Sequence, residues 1–205
     1  MAGEPVFRNL AELENIHLRQ AVEIYAATFY EPLSFISNDL DLIADVLEHA
    51  FVTDRHYVAL LDGNVVAVVS ISDAQGRPQR YRREFLTHQL GLLKGSLAYF
   101  RLRDVFGQPI NLEQQQCYID YVVTDSAFRG MGIASELQRH LFGVLPYKEY
   151  LLEVAEMNFR AIRMYEELGF SVENRKPQRS FWKPNLEGGK LSMRRIMTEA
   201  GTNLL

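Results

Sequence analysis

The sequence predicts one α/β domain in which strands and helices alternate along the second half of the chain. Residues 118–123 and 150–155 are apolar segments with strand character, and each is followed by a segment whose apolar residues have helical spacing. A third observation is the turn sequence Asp62-Gly63-Asn64 between two further apolar segments, which is typical of a β-hairpin. A chain of 205 residues is long enough to bury the core of a single domain of this class.

The first half of the chain predicts two amphipathic helices before the hairpin. The first is expected to end near Pro32, after an apolar stripe made by Leu18, Val22, Tyr25 and Phe29. The second begins from a polar cap at residues 37–39 and continues through Leu40, Ile43 and Leu47. Strands at 57–61 and 65–71 then form the arms of the hairpin.

Glycines follow the strand at 118–123 where a phosphate-binding turn needs them. Gly130 and Gly132 precede a helix, and without Cβ atoms they let an anion approach the N–H groups of its first turn. Arg129 adds a positive charge beside this turn. Taken alone, such glycines also fit simple turn geometry. A P-loop is excluded because no Gly-Lys-Ser/Thr follows, and Ser135 stands where a Rossmann fingerprint has its third glycine.

The segment 158–170, NFRAIRMYEELGF, predicts a capped helix that leads into another strand at Phe170. Asn158 is placed to cap the helix and Gly169 to end it. One face of the helix carries Ala161, Tyr165 and Leu168.

Together these two segments resemble the signature motifs of the GNAT superfamily of acyl-coenzyme A dependent N-acetyltransferases. Residues 129–134 match R/Q-x-x-G-x-G/A, and residues 158–170 match N-x-x-A-x-x-x-Y-x-x-x-G-F without a gap. The resemblance covers roughly residues 55–72 and 117–197. It implies an α/β fold of the α+β type, the GNAT fold, in which helices flank a mixed central sheet whose parallel pair of strands splays to admit coenzyme A.

The resemblance also implies acetyl-CoA as the co-substrate, with no metal. Backbone N–H groups around Val122 to Thr124 are expected to polarise the thioester carbonyl, as in an oxyanion hole. The expected cofactor-binding residues are Val122, Val123, Thr124, Arg129, Gly130, Met131, Gly132, Ile133, Ala134, Ser135, Asn158, Ala161 and Tyr165.

Three residues are expected to carry the chemistry. Tyr165 is similar in position to the GNAT general acid, and a phenol with a pKa near 10 can protonate a leaving thiolate. Asp120 is unusual inside a strand, and its position nine residues before Arg129 resembles a base position of several GNAT subgroups. Glu153 resembles the base position of ribosomal-protein N-acetyltransferases. Either carboxylate alone also fits a structural, hydrogen-bonded acid, and we favour Asp120 as the base.

The resemblance therefore implies an acyltransferase that moves an acetyl group from acetyl-CoA to a primary amine by direct transfer in a ternary complex. The acceptor is expected to be an amine of a small molecule or of a protein. Cys117, on the same strand as Asp120, leaves an acyl-enzyme route open. The alternative is a non-catalytic acyl-CoA-binding sensor or scaffold of the same fold, which would need neither Tyr165 nor an acid.

A basic helical insertion at about 77–108 interrupts the single domain expected over residues 1–205. Between residues 77 and 103 the one acid is Glu84, although the whole chain has a net charge of −4. A helical apolar stripe there, interrupted by Gly91 and Gly95, consists of Leu86, Leu90, Leu93, Leu97 and Phe100. We expect one extra helix that packs on the sheet or on a second subunit, which allows a homodimer, with its arginines in solvent. Contact with coenzyme phosphates or an acidic substrate is the alternative.

Other features set expectations about partners and location. The N-terminus has no apolar h-region and no segment approaches membrane-spanning length, so we expect a cytoplasmic protein with no membrane contact. The lone Cys117 cannot form an internal disulfide. The five histidines lack metal-ligand spacing, so no metal is expected. No recognised module accompanies the basic stretch, so nucleic acid is not expected as a partner.

Overall fold

The computed structural model describes residues 3–177 and 189–197, and a seven-stranded mixed sheet forms its centre. The strands are β1 (Val6–Asn9), β2 (His56–Leu61), β3 (Asn64–Ser72), β4 (Gln116–Thr124), β5 (Glu149–Ala155), β6 (Ser171–Pro177) and β7 (Gly189–Ile196). Their order across the sheet is β1-β2-β3-β4-β5-β7-β6. β4 and β5 are parallel, and the other described neighbours are antiparallel. The mixed α/β architecture predicted from the sequence is confirmed.

Seven helices pack around this sheet in the described part of the chain. They are α1 (Asn15–Thr28), α2 (Tyr30–Leu33), α3 (Leu40–Glu48), α4 (Arg83–Leu90), α5 (Leu92–Phe106), α6 (Ile133–Val144) and α7 (Phe159–Glu167). Among the residues described, we find no helix with both the length and the apolar character that crossing a membrane requires.

Local turn and cap chemistry behaves as the sequence predicts. Asp62 and Gly63, with φ of 49° and 79°, form the two-residue turn of the β2–β3 hairpin, and left-handed φ at both central positions is typical of a type I′ turn. The Asp39 side chain caps α3 by accepting a hydrogen bond from the N–H of Asp41. Asn158 caps α7 in the same way, through the N–H of Ala161.

The sheet separates two apolar cores. One lies against α1 and α3 and includes Val68, Tyr121 and Val123. The other lies against α6 and α7 and includes Ile71 and Ile119. In β3, Val68 and the next residue, Val69, face different cores, as the two-residue period of a strand buried on both sides requires. In β4, Ile119 and Tyr121 face different cores although they are two residues apart, because the pairing with β3 shifts by one residue between them.

The insertion differs from its prediction because it forms two helices, α4 and α5, rather than one. Gly91, with φ of 82°, ends α4 in a conformation that favours glycine. Gly95 lets α5 approach α4, since a Cβ there would lie 2.3 Å from the carbonyl oxygen of Leu86. Ala98 and Leu102 on the same face of α5 are buried, so this face, rather than the one carrying Leu97, packs on the protein. The exposed residues of the predicted stripe are Leu93, Leu97 and Phe100.

Two features of β4 position the site. Ser70 of β3 pairs with Tyr121 and the next residue, Ile71, pairs with Ile119, so Asp120 is an extra residue that makes a β-bulge. The parallel pairing of β4 with β5 ends at Ile119 and Leu152, although both strands continue. The predicted splay of the parallel pair is therefore confirmed, and it begins at the bulge.

Candidate active site

A cleft of about 870 Å³ opens where β4 and β5 separate. Its walls are formed by the ends of both strands, the turn before α6, the first turn of α6, one side of α7 as far as Glu167, and the end of α1 at Thr28 and Phe29. This volume lies within the range of about 300–1,000 Å³ that is usual for small-molecule sites. Every predicted site residue except Met131 lines the cleft, while Met131 lies on the turn with 55% of its surface exposed.

The turn before α6 has the geometry of an anion-binding cradle. Gly130 and Gly132 have φ of 85° and 82°, which other residues rarely adopt. Gly132 occupies the N-cap position of α6 and no side chain caps the helix there, so the N–H groups of the first turn are available to a ligand. Arg129 fastens the turn to the end of β4, since its Nε donates to the carbonyl oxygen of Thr124 at 3.1 Å.

Two further arginines line the cleft from α7, and sequence reasoning did not identify them. The guanidinium of Arg160 lies beside the turn, because a Cβ on Gly130 would be 3.1 Å from its Nη2. Arg163 also lines the cleft and pairs with Glu167 at 3.1 Å. Both arginines occupy variable positions of the N-x-x-A motif, but their spacing of three residues could have placed them on one helix face. They increase the positive charge available to an anionic ligand.

Asp120 lies at the apex of the cleft, immediately after the last β4–β5 pair. Ser72 Oγ donates to its Oδ2 at 2.6 Å, and Nη1 of Arg77 lies 2.8 Å from its Oδ1. Burial raises the pKa of Asp120 to about 6, although Arg77, Ser72 and Arg55 act in the opposite direction. Its carboxyl group is therefore ionised at neutral pH but close to the pH at which it accepts a proton.

Glu153 occupies the equivalent position on β5, but its surroundings differ. Its carboxylate contacts the ammonium groups of Lys176 at 2.9 Å and Lys190 at 3.4 Å. Burial alone would raise the pKa of Glu153, but the two lysines reverse this effect and hold the pKa below its usual range. Glu153 is thus the weaker base of the two acids.

Tyr165 reaches the cleft from α7 and is 8% exposed. Its ring packs edge-on against Phe170, with a distance of 5.7 Å between ring centroids. Burial raises the pKa of Tyr165 to about 12, so its hydroxyl stays protonated throughout the neutral range. The cleft therefore holds a neutral hydrogen-bond donor on one wall and an ionised acid on another.

Within residues 3–177 and 189–197, no three His, Cys, Asp or Glu side chains are grouped so that they could hold a metal ion.

A family model now adds to this geometry. The model of the acetyltransferase (GNAT) family matches residues 18–170, which is most of the chain and includes β4, the glycine turn and α7. The chain belongs to the GNAT acetyltransferase family. Comparison with curated protein sequences gave no match.

Solved structures of GNAT enzymes share the fold. An N-acetyltransferase from Staphylococcus aureus Mu50 matches with a TM-score of 0.62 and 15% identity, over 92% of this chain and 99% of that chain. Ard1 from Thermoplasma volcanium matches with a TM-score of 0.56 and 19% identity, over 95% of this chain and 99% of that chain. A chain of the NatC complex bound to Gag peptide and CoA matches with a TM-score of 0.55 and 16% identity, over 96% of this chain and 100% of that chain. At such identities the likeness shows the fold alone.

Proposed function

We propose that this GNAT protein is an N-acetyltransferase that moves an acetyl group from acetyl-CoA to a primary amine by direct transfer in a ternary complex. One observation carries the proposal beyond family membership. The split between β4 and β5 brings an anion-binding turn, the carboxylate of Asp120 and the neutral hydroxyl of Tyr165 to the same cleft. A binding module would need the turn, whereas group transfer also needs a proton acceptor and a proton donor.

The chain fits coenzyme A through its charge and its free backbone groups. The N-terminus of α6 favours a pyrophosphate, and Arg129 and Arg160 add full positive charges beside it. Beyond Ile119 and Leu152, the facing edges of β4 and β5 have no pairing with each other, which leaves backbone groups for the amide arm and the thioester carbonyl. When bound, acetyl-CoA supplies an acetyl group activated as a thioester.

The acceptor must lose a proton before it can attack. At pH 7 this costs about 4.6 kcal/mol for a lysine-like amine with a pKa near 10.4, and about 1 kcal/mol for an α-amine with a pKa near 7.8. Asp120, with a pKa of about 6, is ionised and able to receive this proton. Glu153 is less suited because two lysines stabilise its charged form. These environments support Asp120 as the base.

Tyr165 is proposed to stabilise the departing sulfur. Its pKa of about 12 makes it a weaker acid than an ordinary phenol. Full proton transfer from Tyr165 to a thiolate with a pKa near 8.5 would cost about 5 kcal/mol. The hydroxyl therefore donates a hydrogen bond to the sulfur while negative charge develops there. When it passes its proton to the thiolate, the proton that Asp120 took from the amine is available to restore the tyrosine, so the amine's proton ends on the thiol of CoA.

An acyl-enzyme route through Cys117 has little support. The Cys117 side chain is fully buried and does not line the cleft. Burial and the nearby carboxylates of Asp120 and Asp73 raise the pKa of its thiol well above its usual range, which opposes formation of the nucleophilic thiolate. Direct transfer of the acetyl group to the amine is therefore the mechanism that we propose.

The cofactor assignment is tested at Gly132. A Cβ at this position would meet no other atom within 4 Å, so a side chain would extend into open space beside the helix N-terminus. Gly132→Asp should therefore place a negative charge where the pyrophosphate binds and reduce CoA affinity at least about a hundredfold. Gly63→Asp adds the same charge at another glycine with a left-handed φ and open space around it, outside the cleft, and is the matched control for charge and backbone strain. Isothermal titration calorimetry that gives Gly132→Asp an unchanged affinity would refute the assignment.

The transfer reaction is tested by thiol release from acetyl-CoA with a panel of α-amines, lysine-like amines and small polyamines. Tyr165→Phe should lower kcat by about 10²-fold or more, with little change in the apparent affinity for acetyl-CoA. Tyr99→Phe, which removes a hydroxyl outside the cleft, should keep wild-type turnover. Acetyl-CoA binding without thiol release for any amine would favour a sensor, and wild-type turnover by Tyr165→Phe would reduce Tyr165 to a packing residue.

The base is tested by the pH dependence of kcat/KM. In the wild type this parameter should fall as the pH drops through about 6, because Asp120 becomes protonated there. Asp120→Asn should lose activity near neutral pH and recover as rising pH deprotonates the amine directly. Glu153→Gln should show a smaller loss and keep the acidic limb. The opposite ranking would make Glu153 the base. Two unaltered profiles would mean that neither acid is the base and that the amine loses its proton through water or before it binds.

A further inference from the structure

Arg77, in the segment between β3 and α4, reaches Asp120 from the insertion. Its Nη1 lies 2.8 Å from Oδ1 of Asp120, and its Nη2 donates to the carbonyl oxygen of Phe106, the last residue of α5, at 3.0 Å. The guanidinium thus connects the beginning and the end of the insertion to the bulge of β4. The sequence-based expectation that the insertion's arginines lie in solvent is wrong for Arg77, whose side chain is 20% exposed.

We propose that Arg77 is a positioning residue for Asp120, which holds the carboxylate in place at the apex of the cleft and keeps it ionised for proton transfer. This inference rests on the proposed function, because it assigns Arg77 to the base of that reaction. It also gives the insertion a role in the site, since the contact to Phe106 makes the position of Arg77 depend on α5.

The two oxygens of Asp120 are held from different parts of the fold. Ser72 fixes Oδ2 from the neighbouring strand β3, while Arg77 approaches Oδ1 from the insertion. Oδ1 and Nη1 are both buried, and neither has a hydrogen bond of normal geometry, so their contact is an ion pair held by charge and proximity. Loss of the guanidinium would leave a buried carboxylate without its counter-charge, which is strongly unfavourable.

The other groups around Asp120 do not replace this charge. Arg55 acts on Asp120 from a greater distance and is engaged by Asp73 at 2.6 Å. Glu153, across the split on β5, carries the same sign of charge as Asp120. The remaining titratable neighbours have pKa values raised by burial and stay neutral, namely Tyr81, Tyr118, Tyr121 and Cys117. Among the described residues, Arg77 is therefore the cation in direct contact with Asp120.

The inference is tested by nuclear magnetic resonance of the full chain without substrate. The ¹³C carboxyl resonance of Asp120, assigned through Asp120→Asn, should titrate with a midpoint near 6 in the wild type. Arg77→Gln should raise this midpoint by about one pH unit or more, because removing an opposite charge at this distance disfavours the ionised form of Asp120. Arg77→Lys should keep most of the wild-type value. Arg80→Gln, which removes an exposed arginine of the same segment, should leave the midpoint unchanged.

Activity provides a second readout. The acidic limb of kcat/KM should move to higher pH in Arg77→Gln by the same amount as the carboxyl midpoint, and Arg77→Lys should restore it. An unchanged midpoint in folded Arg77→Gln would overturn the proposal. If that variant does not fold, the proposal can be tested in the wild type. The ¹⁵N guanidinium resonances of Arg77 should shift as Asp120 titrates, and resonances that do not respond would overturn the proposal. If the proposed function is wrong but the contact is right, the protein should release no thiol from acetyl-CoA, while the carboxyl midpoint of Asp120 should still depend on Arg77.

Discussion

The separation of β4 and β5 is the constraint on which the rest of the site depends. The two strands pair only from Gln116 and Glu149 to Ile119 and Leu152, and both continue beyond that point. A bulge bends its strand and increases the local twist, and the bulge at Asp120 coincides with the point where pairing ends. The cleft is therefore built into the backbone of the sheet and does not require a movement to form.

The parallel direction of these two strands explains why the remaining parts meet there. Carboxyl ends of parallel strands lie at the same edge of a sheet, so the helices that follow them, α6 and α7, start at the same place. The N-terminus of α6 has no side-chain cap, so its N–H groups can bind an anion. The N-terminus of α7 is capped by Asn158, so this helix contributes to the cleft through the side chains of Tyr165, Arg160 and Arg163 instead. One topological feature, the parallel β4–β5 pair, thus brings together the proposed phosphate site, the proposed acid and the proposed base.

Burial acts on the three proposed catalytic groups of the cleft, and the neighbours of each group decide its chemistry. Tyr165 has no opposing charge, so burial raises its pKa and keeps it neutral. Glu153 has two lysines and stays ionised well below neutrality. Asp120 has Arg77, Ser72 and Arg55 against a larger burial effect, and its pKa of about 6 lies between these extremes. An acid in this range suits proton transfer near pH 7.

Local signals made much of this structure predictable. The alternation of apolar residues, the glycines at 130 and 132, the Asn158 cap and the Asp62-Gly63 turn each act within a few residues, and each appears in the fold as expected. The four-residue strand β1 was not predicted, because so short an edge strand has little pattern. The bulge and the Arg77 contact also left no sequence signal, because they depend on elements far apart in the chain.

A crystal structure of the protein with bound CoA would test the central claim most directly, namely that the split between β4 and β5 is the acyl-carrier site. We expect the pyrophosphate against the Gly130–Gly132 turn at the N-terminus of α6. The sulfur should lie between the unpaired ends of β4 and β5, within hydrogen-bonding reach of the Tyr165 hydroxyl and on the side of the cleft that carries Asp120. CoA bound elsewhere on the protein, or strands paired as far as Thr124 and Ala155 with the cleft closed, would contradict this account.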